Sequence, residues 1–145
     1  MGLGPRGATP AALVLVGVAW FGVVAGGQGA ARTVRDRVYA KAQADRGAKQ
    51  YGQICASCHD PAKVPADKRP APPVVGDKFL DKWQDRTLGE FSTTIQTTMP
   101  NDGSVVLTDD ETIDLVAYLL QANSFPDGPA PLRMGASSKD IVIVR

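Results

Sequence analysis

The feature that most constrains this chain is the pentapeptide Cys55-Ala56-Ser57-Cys58-His59, which holds both cysteines and the only histidine among 145 residues. A zinc site built from Cys and His alone needs a fourth ligand, and the rest of the chain has no further thiol or imidazole to supply it. Nor does the chain have a second histidine for a Ser-His or Cys-His catalytic pair. All of its soft-ligand chemistry is therefore concentrated at one point.

The spacing within this pentapeptide has a physical reason. Cys58 and His59 follow Cys55 by three and four residues, which places the three side chains on one side of a helical turn. Two thiols held this way can bond to the two vinyl groups of one haem while the imidazole meets the iron, and Cys-x-x-Cys-His is the signature of that attachment. The motif therefore predicts one haem c, bound covalently by Cys55 and Cys58, with His59 as an axial iron ligand.

Two other interpretations of the cysteine pair are disfavoured. A thioredoxin-like Cys-x-x-Cys needs a strand before it and a βαβ frame, whereas a segment rich in Ala and Lys, typical of a helix, precedes this one. A structural disulfide between Cys55 and Cys58 would enclose too few residues to stabilise the fold much.

A six-coordinate iron needs a second axial ligand, and without another histidine the natural donor is a methionine thioether. If Met1 is removed with an export segment, Met99 and Met134 remain. Met99 lies at a predicted helix end, before a proline that can hold its side chain over a flat cofactor, whereas Met134 lies in a tail rich in Gly and Pro. The sequence favours Met99 as the ligand; a core-filling role is the other interpretation of this residue.

The N-terminus has the pattern of an export signal. Arg6 provides a positive start, residues 11–25 are apolar, and small residues at 28–31 offer a cleavage site. An uncleaved anchor is the alternative, but the apolar run is shorter than the roughly 20 residues that span a bilayer. We expect a signal peptide at 1–31, a periplasmic domain at 32–125 and a C-terminal tail at 126–145 whose role the sequence does not assign.

Charge and composition exclude some partners. The chain has 16 basic and 15 acidic residues, so nucleic-acid binding has no electrostatic support. Aromatic residues are few and Gly plus Pro are many, so a core built from side chains alone would be thin, and a large apolar cofactor would complete it. We expect a monomer with no nucleic-acid partner and, after cleavage, no membrane span.

Periodicity and punctuation predict helices and loops. An apolar stripe that includes Val34, Val38 and Ala42 predicts a helix from Thr33 to about Cys58, and five prolines make residues 60–76 an extended loop. Further helices are predicted at 77–84, at 88 to about 97 and at 109 to about 123. Capping boxes, Thr87 with Glu90 and Thr108 with Glu111, open the last two.

Two segments carry a family resemblance. Gly47-x-x-x-Tyr51-x-x-x-Cys55-x-x-Cys58-His59 resembles the N-terminal helix of the class I c-type cytochromes, and residues 113–119 resemble their C-terminal helix. The resemblance covers about residues 38–125. It implies an all-α class I cytochrome c fold, with three main helices plus short helical turns and loops around one haem. It also implies that Gly47 and Tyr51 pack against Leu115 and Tyr118.

Further residues gain roles from the same resemblance. Pro72-x-Val74-x-Gly76 is similar to the loop in which a proline carbonyl accepts a hydrogen bond from the ligating imidazole, which would fix the ring of His59 and raise its donor strength. Trp83 is implied to hydrogen-bond a haem propionate, with a simple core tryptophan as the other interpretation.

The resemblance also implies a function. Residues 79–83, 98–100 and 118–123 look like those of cytochromes that accompany quinoprotein (PQQ-dependent) dehydrogenases. We expect a single-electron carrier, not an enzyme, that takes electrons from a periplasmic dehydrogenase to an oxidase or reductase. The alternative, a haem enzyme or sensor with an open distal site, needs distal acid-base groups, and no spare His or obvious Arg stands beside Met99. A haem-free thiol module is the third hypothesis.

Overall fold

Five helices joined by loops make up the part of the chain that is described by the computed structural model, namely residues 1, 2, 4, 31–60 and 62–145. They are α1 Lys41–Ile54, α2 Ala56–His59, α3 Asp77–Trp83, α4 Leu88–Thr98 and α5 Asp109–Ala122. Within these ranges β-pairing is limited to three isolated bridges. The predicted all-α fold is confirmed.

The predicted export segment at 1–31 lies almost entirely outside the described residues. Among the helices that are described, none has the length and apolarity needed to cross a membrane.

Helices α1 and α5 form the main packing contact of the fold. Gly47 is buried so closely against α5 that a β-carbon there would overlap the backbone carbonyl of Asp114. One turn later the rings of Tyr51 and Tyr118 lie 5.0 Å apart. At the rim, Arg46 donates two hydrogen bonds of 2.6 Å to the Asp114 carboxylate. The predicted meeting of the small and aromatic residues of α1 with α5 is confirmed.

Local hydrogen bonds set where α4 and α5 begin. The Thr87 hydroxyl accepts from the Glu90 amide at 3.2 Å, and the Glu90 carboxylate accepts from the Thr87 amide at 2.9 Å. Thr108 and Glu111 repeat this reciprocal pair at the start of α5, at 3.3 and 2.9 Å. Each box satisfies amides that a helix start leaves without partners, so both predicted capping boxes are confirmed.

The first helix is shorter than predicted. It begins at Lys41, not Thr33, because the preceding segment pairs with the tail: the Val34 amide donates to the Val142 carbonyl at 3.0 Å. Arg37, in the left-handed region at φ 55°, also interrupts any helix there. Ala42, expected on the buried stripe, is exposed. A tertiary pairing thus overrides the helical propensity of residues 33–40.

The other predicted elements agree with the structure within one residue. Helix α3 ends at Trp83, one residue before the predicted end, and buries Phe79 and Trp83. Residues 60 and 62–76 contain turns but no helix or strand, in keeping with their prolines.

Residues 126–145, which the sequence left unassigned, pack onto the helices. Val142 forms bridges with both Thr33 and Thr87, and its neighbours Ile141 and Ile143 are buried. At the end of the segment, the Arg145 guanidinium pairs with Asp77 and Asp81 of α3, at 3.1 Å each. The tail therefore contributes to the core and connects the segment before α1 with α3 and α4.

A buried amide also holds the tail to α1. The Gln43 side chain accepts from the Leu132 amide at 2.7 Å and donates to the Leu132 carbonyl at 2.9 Å. These two bonds satisfy a buried polar side chain and a loop backbone at the same time.

We expect Gly47→Ala to destabilise the haem-loaded protein by about 3 kcal/mol, because the added methyl group meets backbone and cannot be absorbed by a rotamer change. Gly52→Ala is the matched control, because Gly52 lies in the same helix with open space around it. This substitution should raise the free energy of unfolding by about 0.5–1 kcal/mol, since Ala has the higher helix propensity. Denaturant unfolding measures both. Equal stabilities of the two variants would contradict the close α1–α5 contact.

We expect Ile143→Ala to lower the free energy of unfolding by about 3 kcal/mol, because it leaves a cavity where a buried side chain of the tail packs. Lys139→Ala, an exposed position in the same tail, should change it by less than about 0.5 kcal/mol. The same denaturant titration applies. A negligible effect of Ile143→Ala would mean that the tail does not belong to the cooperative core.

Candidate functional site

The Cys55–His59 motif lies directly after α1, at a break between two helices. Cys55 closes α1, with φ −108° and ψ −37°, and its amide donates to the Tyr51 carbonyl at 2.9 Å. The amides of Cys58 and His59 both donate to the Cys55 carbonyl, at 3.1 and 3.0 Å. This single turn groups the two thiols and the imidazole, and α1 fixes the turn to the core.

The two thiols are free and differ in environment. Cys55 is half-buried against the core, while Cys58 is exposed. Burial, together with the nearby Cys58, raises the pKa of the Cys55 thiol to about 11, so it is a neutral thiol near pH 7. The motif follows a helix, and no strand precedes it in the described part of the chain, so the structure lacks the frame that a thioredoxin-like pair needs.

The imidazole of His59 is oriented by the proline-rich loop. Its Nδ1 lies 3.0 Å from the Pro72 carbonyl oxygen, and the Ala71 amide donates to the Cys58 carbonyl, also at 3.0 Å. A carbonyl can only accept, so Nδ1 is the donor in this bond, and in the neutral ring Nε2 is then the nitrogen with the lone pair. The geometry is that of an imidazole prepared to donate from Nε2 to a metal.

The two methionines lie in different surroundings. Met99 caps the C-terminus of α4, where its amide donates to the Ile95 carbonyl at 3.0 Å, and it is half-buried. Met134 instead lines a surface cavity of about 560 Å³ together with Gln43 and Arg46. Gln43 is 11 residues before Ile54 on α1, or about 16 Å along the helix axis. Met134 therefore lies toward the end of α1 that is remote from His59.

Trp83 is packed as a core residue. Its ring meets Phe91 in an edge contact, with 4.7 Å between centroids. The Arg86 guanidinium and the Lys82 ammonium lie over the ring, at 4.7 and 5.3 Å from its centroid. No hydrogen bond joins Met99 or Trp83 to the Cys55–His59 motif among the described residues. A propionate contact of Trp83 stays a prediction.

Exposed apolar side chains lie in the two segments that carry the predicted site residues. Val75, 45% exposed, is three residues after Pro72, and Val105 and Val106, 38% and 90% exposed, follow Met99. Covering an exposed valine with an apolar group is favourable, by roughly 25 cal/mol per Å² of apolar surface removed from water. By type, these groups fit a haem: two uncommitted thiols and an oriented imidazole in one turn, and a thioether and exposed valines in two other segments.

One residue near the site was missed by the sequence reasoning. Asn123, just after α5, accepts from the Gly76 amide at 2.8 Å and donates to the Val74 carbonyl at 3.1 Å. Sequence reasoning named it only as the end of the last predicted helix and of the segment 118–123, with no role of its own. Because its bonds go to a segment about 50 positions away, no local sequence pattern indicates them.

A comparison with known families agrees with this geometry. A family model described as cytochrome c oxidase, cbb3-type, subunit III, matches residues 42–119, more than half of the chain. No curated protein and no solved structure gave a match. The matched range runs from α1 to α5 and includes the cysteine motif, Pro72 and Met99. The chain belongs to this family and is a class I c-type cytochrome, for which haem c is the implied prosthetic group.

Proposed function

We propose that this cytochrome carries single electrons and that one haem c is bound to it covalently through Cys55 and Cys58. When bound, the haem supplies a reversible Fe(III)/Fe(II) couple. The observation that carries the proposal is the 3.0 Å contact between His59 Nδ1 and the Pro72 carbonyl, which leaves Nε2 free beside two unpaired thiols. The exposed valines in the segments that follow Pro72 and Met99 support an apolar occupant next to those segments.

We further propose Met99 as the second axial ligand. It is held at a helix end by backbone hydrogen bonding and followed by Pro100, whereas Met134 packs toward the remote end of α1. A thioether favours the reduced iron, and two ligands kept in both oxidation states leave little to rearrange during electron transfer. The pair His59 and Met99 therefore supports a carrier with a positive potential rather than an enzyme or sensor with an open site.

Covalent attachment is tested by the intact mass and by haem staining after a denaturing gel. Protein expressed with the haem-attachment machinery should gain the mass of one haem and keep it under denaturing conditions. Cys55→Ser and Cys58→Ser should each reduce the covalently retained haem, because each removes one thioether bond, and the double variant should retain none. Ser57→Ala, between the two cysteines, is the control and should retain haem fully. Colourless wild-type protein without added mass would refute the proposed function.

Ligation is tested by Met99→Ala. Loss of the thioether should lower the reduction potential by on the order of 0.1 V, a fraction of the roughly 0.8 V range that axial ligands set. The variant should also bind carbon monoxide and cyanide, which a closed His/Met site resists.

Met134→Ala is the matched control and should keep both the potential and the closed site. If Met99→Ala leaves the potential unchanged, or Met134→Ala lowers it instead, Met99 is not the ligand. A wild-type protein that binds carbon monoxide readily would favour the open-site alternative.

The cellular role extends this proposal. We propose that residues 1–31 direct export, and that the protein works in the periplasm as a monomer with protein redox partners. The family's description names an oxidase subunit, which supports an oxidase on the acceptor side. The match does not point to quinoprotein dehydrogenases, so a dehydrogenase donor stays a prediction from the sequence.

A further inference from the structure

Asn123 links the C-terminal end of α5 to the loop that faces His59. Its Oδ1 accepts from the Gly76 amide at 2.8 Å, and its Nδ2 donates to the carbonyls of Val74 at 3.1 Å and Leu119 at 2.7 Å. These partners fix the orientation of the amide, because an exchange of oxygen and nitrogen would put donors against the Gly76 amide and an acceptor against two carbonyls. The half-buried side chain is therefore held by three directional bonds.

The segment 71–76 depends on contacts at its two ends. At one end, Ala71 and Pro72 bond to Cys58 and His59; at the other, Val74 and Gly76 bond to Asn123. Pro72 and Pro73 have no amide hydrogen, and no hydrogen bond is formed within residues 72–75. The position of the Pro72 carbonyl is thus supported by the motif on one side. On the other side the support comes from Asn123 and from the start of α3, where the Gly76 carbonyl accepts from the Phe79 and Leu80 amides at 3.0 and 3.2 Å.

The two ends share one support. The motif follows α1, Asn123 follows α5, and α1 packs on α5 at Gly47 and Tyr51. The 71–76 segment is therefore connected to α1 through the motif and to α5 through Asn123, and α1 and α5 contact each other directly. Removing the Asn123 bonds releases the segment from α5 at a point two residues from the Pro72 carbonyl.

We propose that Asn123 is a positioning residue which, through residues 72–76, holds the Pro72 carbonyl against His59 and thereby adjusts the reduction potential. This inference rests on the proposed function. The Nδ1 bond increases the donor strength of Nε2 and so favours the oxidised iron. Loosening that bond weakens the donor, and the potential rises.

The test uses Asn123→Ala and Asn123→Leu in the haem-loaded protein. Leu has the same branched shape and number of side-chain heavy atoms as Asn, with bulkier ends, and removes all three bonds. Ala and Leu therefore err in opposite directions in packing and share only the loss of hydrogen bonding. Loss of a direct partner of a metal ligand typically changes affinity or activity roughly 10–100-fold; one step further out, we expect the Fe(II)/Fe(III) ratio at fixed poise to rise about threefold. A threefold change in this ratio corresponds to a shift in reduction potential of about 30 mV for a one-electron couple. Exchange of the Gly76 amide hydrogen should also accelerate in both variants.

Gln43→Ala is the matched control, because Gln43 holds the Leu132 backbone with a similar pair of amide bonds at the other end of α1. It should lower the free energy of unfolding while leaving the potential and the Gly76 exchange rate unchanged.

The outcomes separate this inference from the proposed function. An unchanged potential in both Asn123 variants, with covalent haem and the His/Met spectrum intact, overturns the role of Asn123 and leaves the carrier proposal standing. A wild-type potential in Asn123→Leu alone also overturns it, because packing and not hydrogen bonding would then be the cause. So does an equal shift in Gln43→Ala. Wild-type protein without covalent haem would instead refute the proposed function itself.

Discussion

The close contact between α1 and α5 is the constraint on which the rest of the structure depends. Gly47 lets the backbone of α5 approach so near that even a methyl group would not fit, and the tyrosine pair extends the contact by one turn. Because Cys55 directly follows α1 and Asn123 directly follows α5, this contact fixes the relative position of the cysteine motif and the loop support. A packing contact made of one glycine and two rings thus determines where the chemistry can occur.

The proline-rich segment contributes to the site because its backbone has few accessible conformations. Within residues 71–76, prolines restrict the backbone and remove two amide donors, and the hydrogen bonds of this stretch go to Cys58, His59, Asn123 and the start of α3. The Pro72 carbonyl makes Nδ1 of His59 the donor, so that in the neutral ring Nε2 is the nitrogen with the lone pair. The proposed ligation of iron by His59 depends on the imidazole end of this hydrogen bond. The proposed role of Asn123 depends on its carbonyl end.

Several features followed from the sequence because their causes are local. The capping boxes at Thr87 and Thr108 involve residues three apart, and they place the starts of α4 and α5 correctly. The Cys-x-x-Cys-His spacing is likewise a property of one helical turn, and the prolines forbid regular structure wherever they cluster. The motif assignment was therefore independent of the fold, whereas its functional roles remain proposals for the experiments above.

By itself, the sequence determined the all-α class, the positions of α3, α4 and α5 within one residue, and the concentration of thiol and imidazole chemistry at residues 55–59. Only the tertiary structure decided that residues 33 and 34 pair with Val142, and Ala40 with Gly128, rather than continue α1. It also decided that the tail buries Ile141 and Ile143, and that Asn123 bonds to the segment after Pro72. The physical reason is range. Caps, turns and motif spacing act between neighbours in the chain. Backbone pairing, burial and long-range hydrogen bonds instead join residues that are separated by 47 to more than 100 positions, which no local pattern encodes.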